Sequence, residues 1–315
     1  MKPLKIVFVN MMYDYGDTAR GYSLEMLFYD ELHAMGHRLI PFHYDILLRQ
    51  YSKREVNDML LKLVHDEQAD VLFTILFQDH IDKETFGEIT NNTSTVTFNW
   101  CADDHWRFDS YTSQWAPYFN WMVTTSEAAV PKYHDMGYEN IILSQWGCNS
   151  GIHRKVPAGK LYDVSFVGAI THIERGPMLQ RVRDAGFALY CWGAGTANGR
   201  LSLENTIGVF NQTKINLNFS QVSSANLLQI KARDFEVPGS GGFLLTGYNE
   251  ELKTYYEFGK EIETYQNADE MIEKIHYYLA HDEEREKIAA AGYKRAHDEH
   301  TYKHRFEHIF AKMGL

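Results

Sequence analysis

The chain has 315 residues, 44% hydrophobic and 14% aromatic, with 31 Lys+Arg against 42 Asp+Glu for a formal net charge of −11. The length exceeds the ~250–300 residues at which a single core stops growing, so two domains are expected, and the acidic balance argues against a basic face that neutralises nucleic-acid phosphates while leaving room for a local basic pocket. No apolar stretch approaches the ~18–20 residues of a membrane-spanning helix, no signal peptide precedes the first apolar run, and Cys101, Cys148 and Cys191 lie far apart without CxxC spacing, so the expectation is a soluble, cytoplasmic chain with neither a disulfide framework nor a structural zinc site.

Lys5 to Asn10 (KIVFVN) is a short, nearly continuous apolar run, as for a strand covered on both faces of a parallel sheet. A polar loop follows to Gly21. Leu24, Phe28, Leu32 and Met35 then recur at helical spacing, with Gly36 placed to end that helix before a strand at Arg38 to Phe42. Ser52 and Glu55 predict a capping box in front of an amphipathic helix carrying Val56, Met59, Leu60 and Leu63. Strands are expected at Asp70 to Phe77, Thr95 to Asn99, Trp121 to Thr125 and Asn140 to Ser144.

Gln145 to Lys160 lacks periodicity and reads as a linker. The pattern then restarts, with strands at Asp163 to Gly168, Phe187 to Trp192, Ile215 to Phe219 and Phe243 to Thr246, and helices at Arg175 to Asp184 and Gln229 to Val237. Asn267 and Glu270 predict a second capping box, followed by helices over about Asp282 to Ala291 and Thr301 to Met313. Strands alternating with helices mean parallel sheets, and such sheets bind ligands beyond the carboxyl ends of their strands. The expected domains are residues 1–155 and 156–300, with a terminal helix over 301–315.

Three segments carry candidate chemistry. In KARDFEVPGSGGFLLT (231–246), Lys231 and Arg233 near a predicted helix start suit a diphosphate, Glu236 suits a ribose diol, and Gly239, Gly241 and Gly242 allow close passage of a ligand or simply make the turn into the next strand. In NWCADDHWR (99–107), Asp103, Asp104 and His105 crowd ionisable groups past a strand end. There one carboxylate is available as a base toward an acceptor hydroxyl, or one caps a helix while the other pairs with Arg107. The loop Tyr13 to Gly21 offers Asp14, Asp17 and Arg20, plus tyrosines able to stack on a sugar ring. His297, His300, His304 and His308 have a spacing that invites zinc, but Thr301 reads as a helix cap among surface charges.

The run KARDFEVPGSGGFLLTGYNEELKTYYEFGKEIETY, the two helices after it and HTYKHRF resemble the carboxyl-terminal domain of spore-maturation (CgeB-type) glycosyltransferase-like proteins, and through them the group-1 glycosyltransferases. The resemblance is strongest over Asp163 to Phe306; NWCADDHWRFD resembles that group's Asp-Asp segment. It implies a GT-B fold of two Rossmann-like, doubly wound parallel-sheet domains facing a central cleft, with the terminal helix packed back on the first domain. It also implies transfer of a sugar from a nucleotide-diphosphate-sugar to a glycan or other hydroxyl acceptor without a metal. By resemblance, the corner Gly168 to Gly176 faces the donor phosphates with Arg175 as a neutralising cation, and strands ending at Trp192 and Asn218 line the base pocket. Glu236 matches the second of two family glutamates eight positions apart; the first is Leu228 here, a departure that leaves the family's usual retaining mechanism unsupported. A nucleotide-sugar epimerase and a non-catalytic nucleotide-sugar binder are the alternatives.

Overall fold

The computed structural model describes residues 2–171, 174–221 and 227–315. The chain divides into two compact units, Met1–Gln145 with Arg305–Leu315, and Trp146–His304.

In the first unit, β1 (Lys5–Asn10), β2 (Arg38–His43), β3 (Val71–Thr74), β4 (Val96–Cys101), β5 (Trp121–Thr124) and β6 (Ile141–Leu143) form one six-stranded sheet in the order β2-β1-β3-β4-β5-β6, with every pair parallel. β1 is buried from Ile6 onward because it is central and covered on both faces. The chain leaves β1 toward β2 on one side and returns to β3 on the other, so the order reverses between β1 and β3. The helix Met26–Ala34 gives way to β2 through Gly36 at φ +90°, a conformation that L side chains rarely adopt. The Ser52–Glu55 capping box is present with both of its bonds. Residues 305–315 return to this unit, where Phe306 meets Phe28 and Phe73 at ring separations of 5.7 and 5.6 Å.

In the second unit, β7 (Tyr162–Val167), β8 (Leu189–Trp192), β9 (Thr213–Asn218), β10 (Leu244–Gly247) and β11 (Glu263–Tyr265) form a five-stranded parallel sheet in the order β11-β10-β9-β7-β8. This is the topology of the first sheet repeated, and its reversal lies between β7 and β9. Both reversals are where doubly wound sheets open a crevice at the strand carboxyl ends.

Several elements differ from expectation. The helix expected over Gln229 to Val237 runs from Arg233 to Gly239, because the carboxylate of Asp234 accepts the backbone N–H of Lys231 and sets the first turn there. The helix expected to end near Ala291 continues through Glu299. Gly292 lies within it at a close approach, since a Cβ would stand 2.2 Å from the Glu261 carbonyl oxygen. Asn267 caps its helix through the N–H groups of Asp269 and Glu270, but Glu270 accepts from Gln266 instead of completing the box. A helix over Leu203–Gln212, capped by Ser202, was not expected.

Candidate functional site

At the carboxyl ends of β7, β9 and β10, a buried network holds the segment 231–236 in place. Asp234 is fully buried and accepts from Asn218 Nδ2 (2.8 Å), Thr246 Oγ1 (2.7 Å) and the Lys231 N–H (2.8 Å). Tyr265 donates its hydroxyl to the Asn218 carbonyl at 2.7 Å. Burial raises the Asp234 pKa against these hydrogen bonds, which favour the ionised form. Nothing in the sequence distinguished Asp234 beyond its preference for helix starts.

Arg233 and Arg175 are brought together. Arg233 donates Nε to the Val167 carbonyl (3.2 Å), and Arg175 donates Nη1 to the Ala169 carbonyl (2.9 Å), so both guanidiniums are anchored at the carboxyl end of β7. Burial and then the neighbouring charge of Arg233 pull the Arg175 pKa down to about 10, which leaves it charged at neutral pH. Among the described residues, Arg175 has no carboxylate partner and its buried Nε has no hydrogen-bond acceptor. Arg233 pairs with Glu236, whose Oε2 is thereby occupied; Glu236 Oε1 is buried without a partner among the described residues. Two clustered cations, an unused N–H and an unused carboxylate oxygen can take an anion and an adjacent hydroxyl donor. Lys231 precedes the helix and directs its Nζ to Gln229 Oε1 at 2.6 Å. His153 lies within the field of both Glu236 and Arg233, and burial lowers its pKa, keeping it neutral.

The remaining residues of this unit are placed differently. Asn218 is buried with its amide committed to Asp234 and Thr246, so it positions the segment. Gly241, at φ +80°, turns the chain, and a Cβ on Gly242 would meet the Phe210 carbonyl oxygen at 2.9 Å, so both glycines are required by packing of the α-to-β turn. Gly168 abuts the Phe166 ring and donates its N–H to the Trp192 carbonyl at 2.8 Å. His172 and Ile173 of the Gly168 to Gly176 corner lie outside the described residues. Leu228, at the position of the family's first glutamate, is 41% exposed. The terminal histidines diverge: His297 donates to the Gly239 carbonyl, His300 to the Tyr255 carbonyl, and His304 bonds Thr301 Oγ1.

In the first unit, the adjacent carboxylates separate in character. Asp104 is buried and accepts from Thr112 Oγ1 and from the Tyr133 hydroxyl (3.1 Å). Burial raises its pKa to about 6 against those hydroxyl donors. Asp103 is half-buried beside it at the strand end, and His105 is also half-buried. Arg107 forms no ion pair with either aspartate: it donates to the Phe77 carbonyl and stands 4.6 Å from the Phe77 ring centroid and 4.1 Å from that of Tyr111. Glu25, which the sequence did not single out, has its pKa raised by burial and by the charges of Asp14 and Asp103.

Asp104 couples folding to pH. Its folded-state pKa of about 6 exceeds the usual 3.8, so the native state holds the extra proton between those values. Stability therefore falls as pH rises from about 4 to about 6, by on the order of 3 kcal/mol. Thermal unfolding across pH 4 to 7 is expected to show wild type losing ground relative to Asp104→Asn over that window. Parallel profiles would contradict the assignment.

Residues 175–311 match the family described as "Glycosyl transferase-like". No curated protein matches the chain. Among solved structures, Anabaena HepE in complex with UDP-glucose is similar at a TM-score of 0.68 and 10% identity, over 99% of this chain and 99% of that one. TarM, known from S. aureus, is similar at 0.62 and 10% identity over 82% of this chain, which spans only 58% of TarM. A putative UDP-N-acetylglucosamine 2-epimerase from Listeria monocytogenes is similar at 0.58 and 10% identity, over 99% of this chain and 96% of that one. The fold is GT-B. Within that fold, the segment 175–311 carries the glycosyl transferase-like match.

Proposed function

We propose that the protein moves a sugar from a UDP-sugar to an acceptor hydroxyl in the cytoplasm without a divalent metal, and that it belongs with the CgeB-type branch. The carboxyl-terminal unit holds the donor and the amino-terminal unit the acceptor. The observation that carries this reading is the pair of guanidiniums, Arg175 and Arg233, anchored at the β7/β9 reversal beside the half-used carboxylate of Glu236. HepE with UDP-glucose and TarM with UDP share the fold and support the choice of donor.

In this scheme the bond from the sugar carbon to the diphosphate oxygen breaks as the bond to the acceptor oxygen forms. Negative charge then grows on the diphosphate, where preoriented cations stabilise it most. Arg175 and Arg233 supply that charge, with Lys231 as a third cation, and Glu236 Oε1 accepts from the ribose. The acceptor's proton passes to Asp103. Asp104 is unsuited to that step because Thr112 and Tyr133 occupy its oxygens.

Incubation with UDP-glucose or UDP-N-acetylglucosamine and a panel of hydroxyl acceptors in chelator tests the reading. The expected result is acceptor-dependent release of UDP, undiminished by chelation. A strict requirement for a divalent ion, or conversion of the donor to an isomeric nucleotide-sugar without acceptor, would contradict it; the latter would favour the epimerase reading.

A further inference from the structure

We propose that the loop after β1 is a carbohydrate platform on which Tyr22 and Tyr15 take an acceptor sugar face-on. The inference rests on the glycosyl-transfer reading and deepens it by naming the acceptor class.

The loop is built as a closed hairpin. Tyr13 and Tyr22 form an antiparallel bridge, Asp14 donates its N–H to the Gly21 carbonyl at 3.0 Å, and Ser23 donates to that of Met12 at 2.9 Å. Its base is pinned by Asp45, which accepts from the N–H groups of Met12 (2.9 Å) and Tyr13 (3.2 Å). One face of Tyr22 is stacked on Tyr13, with centroids 5.5 Å apart and planes 17° from parallel, and the Arg49 guanidinium stands 5.8 Å from the Tyr13 centroid. Tyr15 meets Phe77, beyond β3, edge-on at 4.9 Å, with the Arg20 guanidinium 4.3 Å from its centroid. Tyr15 holds φ +52°, a left-handed conformation uncommon for a bulky non-glycine residue.

Despite this support, Tyr22 is 67% exposed and Tyr15 is 53% exposed. Exposed aromatic area on a braced loop marks an interaction site, and rings already fixed in place lose little entropy when a ligand lands on them. The place is also the expected one, because the Tyr15–Phe77 contact joins the segments leaving β1 and β3, where this sheet's order reverses.

The surroundings select the class of occupant. A sugar ring has an apolar face of C–H groups and a rim of hydroxyls. The tyrosine rings suit the face; the Asp14–Arg20 pair (3.0 Å), and Asp103 and Glu25, whose charges reach the Tyr15 hydroxyl, suit the rim. The exposed large apolar residues of this loop are tyrosines, with no aliphatic side chain to seat a lipid tail, and a net charge of −11 disfavours an anionic membrane surface.

An array of neutral and acidic oligosaccharides, probed with the full chain in saturating UDP, tests the proposal. Wild type and Tyr22→Phe are expected to capture at least one class of glycan. Tyr22→Ala and Tyr15→Asn, the latter compatible with the left-handed backbone, are expected to lower capture roughly tenfold with UDP affinity unchanged in calorimetry. Absence of capture, equal capture by the Ala and Asn variants, or binding to phosphatidylcholine or phosphatidylglycerol vesicles in place of glycans would overturn it. Failure of the wild type to bind UDP would instead sink the donor assignment, and the array result would still report on the platform.

Discussion

Replacing Arg233 by alanine is expected to weaken UDP binding by about 10- to 100-fold and to lower turnover by roughly 10²–10³-fold. The first figure follows from losing a charge-assisted hydrogen bond to a phosphate, worth about 1.5–3 kcal/mol; the second from removing a preoriented donor where transition-state charge develops. Arg233 is held in place by the Val167 carbonyl and by Glu236. Its removal also leaves the buried Glu236 carboxylate without its partner, so some loss of stability is expected. The double variant Arg233→Ala/Glu236→Gln separates the effects: neutralising Glu236 is expected to restore thermal stability without restoring UDP affinity. Calorimetric titration of the variants with UDP, beside their unfolding curves, reads both. Undiminished UDP affinity in Arg233→Ala would mean that the diphosphate binds elsewhere.

Asp103→Asn is expected to lower turnover by roughly 10²–10⁴-fold, the usual contribution of a positioned general base, while UDP affinity stays at the wild-type value. The split matters because Asp103 belongs to the amino-terminal unit and the proposed diphosphate-binding residues Arg175 and Arg233 to the other. Steady-state kinetics together with calorimetry distinguish the two. Full turnover in Asp103→Asn would remove it as the base and turn attention to Glu25, whose pKa is raised by burial beside Asp14 and Asp103.

The alternation of strands and helices was legible because burial on both faces of a parallel sheet leaves short, continuous apolar runs. KIVFVN reads as a strand with the bounds Lys5 and Asn10 that β1 has. Local capping chemistry was legible at Ser52 and Glu55 for the same reason: both partners lie within one turn. The sequence placed the start of the helix after Lys231 too early because the residue that fixes it, Asp234, draws its partners from β9 and β10, 16 and 12 positions away. The helix expected to end near Ala291 runs on, and Gly292 is a point of close packing inside it against the Glu261 carbonyl, a partner remote in sequence.

The candidate site divides along the same line. Arg233 and Glu236 were evident from their spacing on one segment, and their pairing at i,i+3 is a local event. The separate fates of Asp103 and Asp104 were not evident, because they depend on Thr112 and on Tyr133, 29 residues away. Gly241 and Gly242 had the composition of a ligand cradle. The side a Cβ would occupy faces Lys155 in one case and Asn216 and Phe210 in the other, residues remote in sequence.

The central claim is that the carboxyl-terminal unit binds a uridine diphosphate-sugar through Arg175, Arg233 and Glu236, and a thermal-shift screen of the full chain against UDP, GDP, ADP and CDP tests it most directly. Selective binding at about 100 times Kd stabilises the native state by roughly 2.7 kcal/mol, so UDP is expected to raise Tm by several degrees while the other diphosphates leave it near the unliganded value. A screen in which no nucleoside diphosphate raises Tm, or in which UDP raises that of the Arg233→Ala variant as far as that of the wild type, would contradict the account.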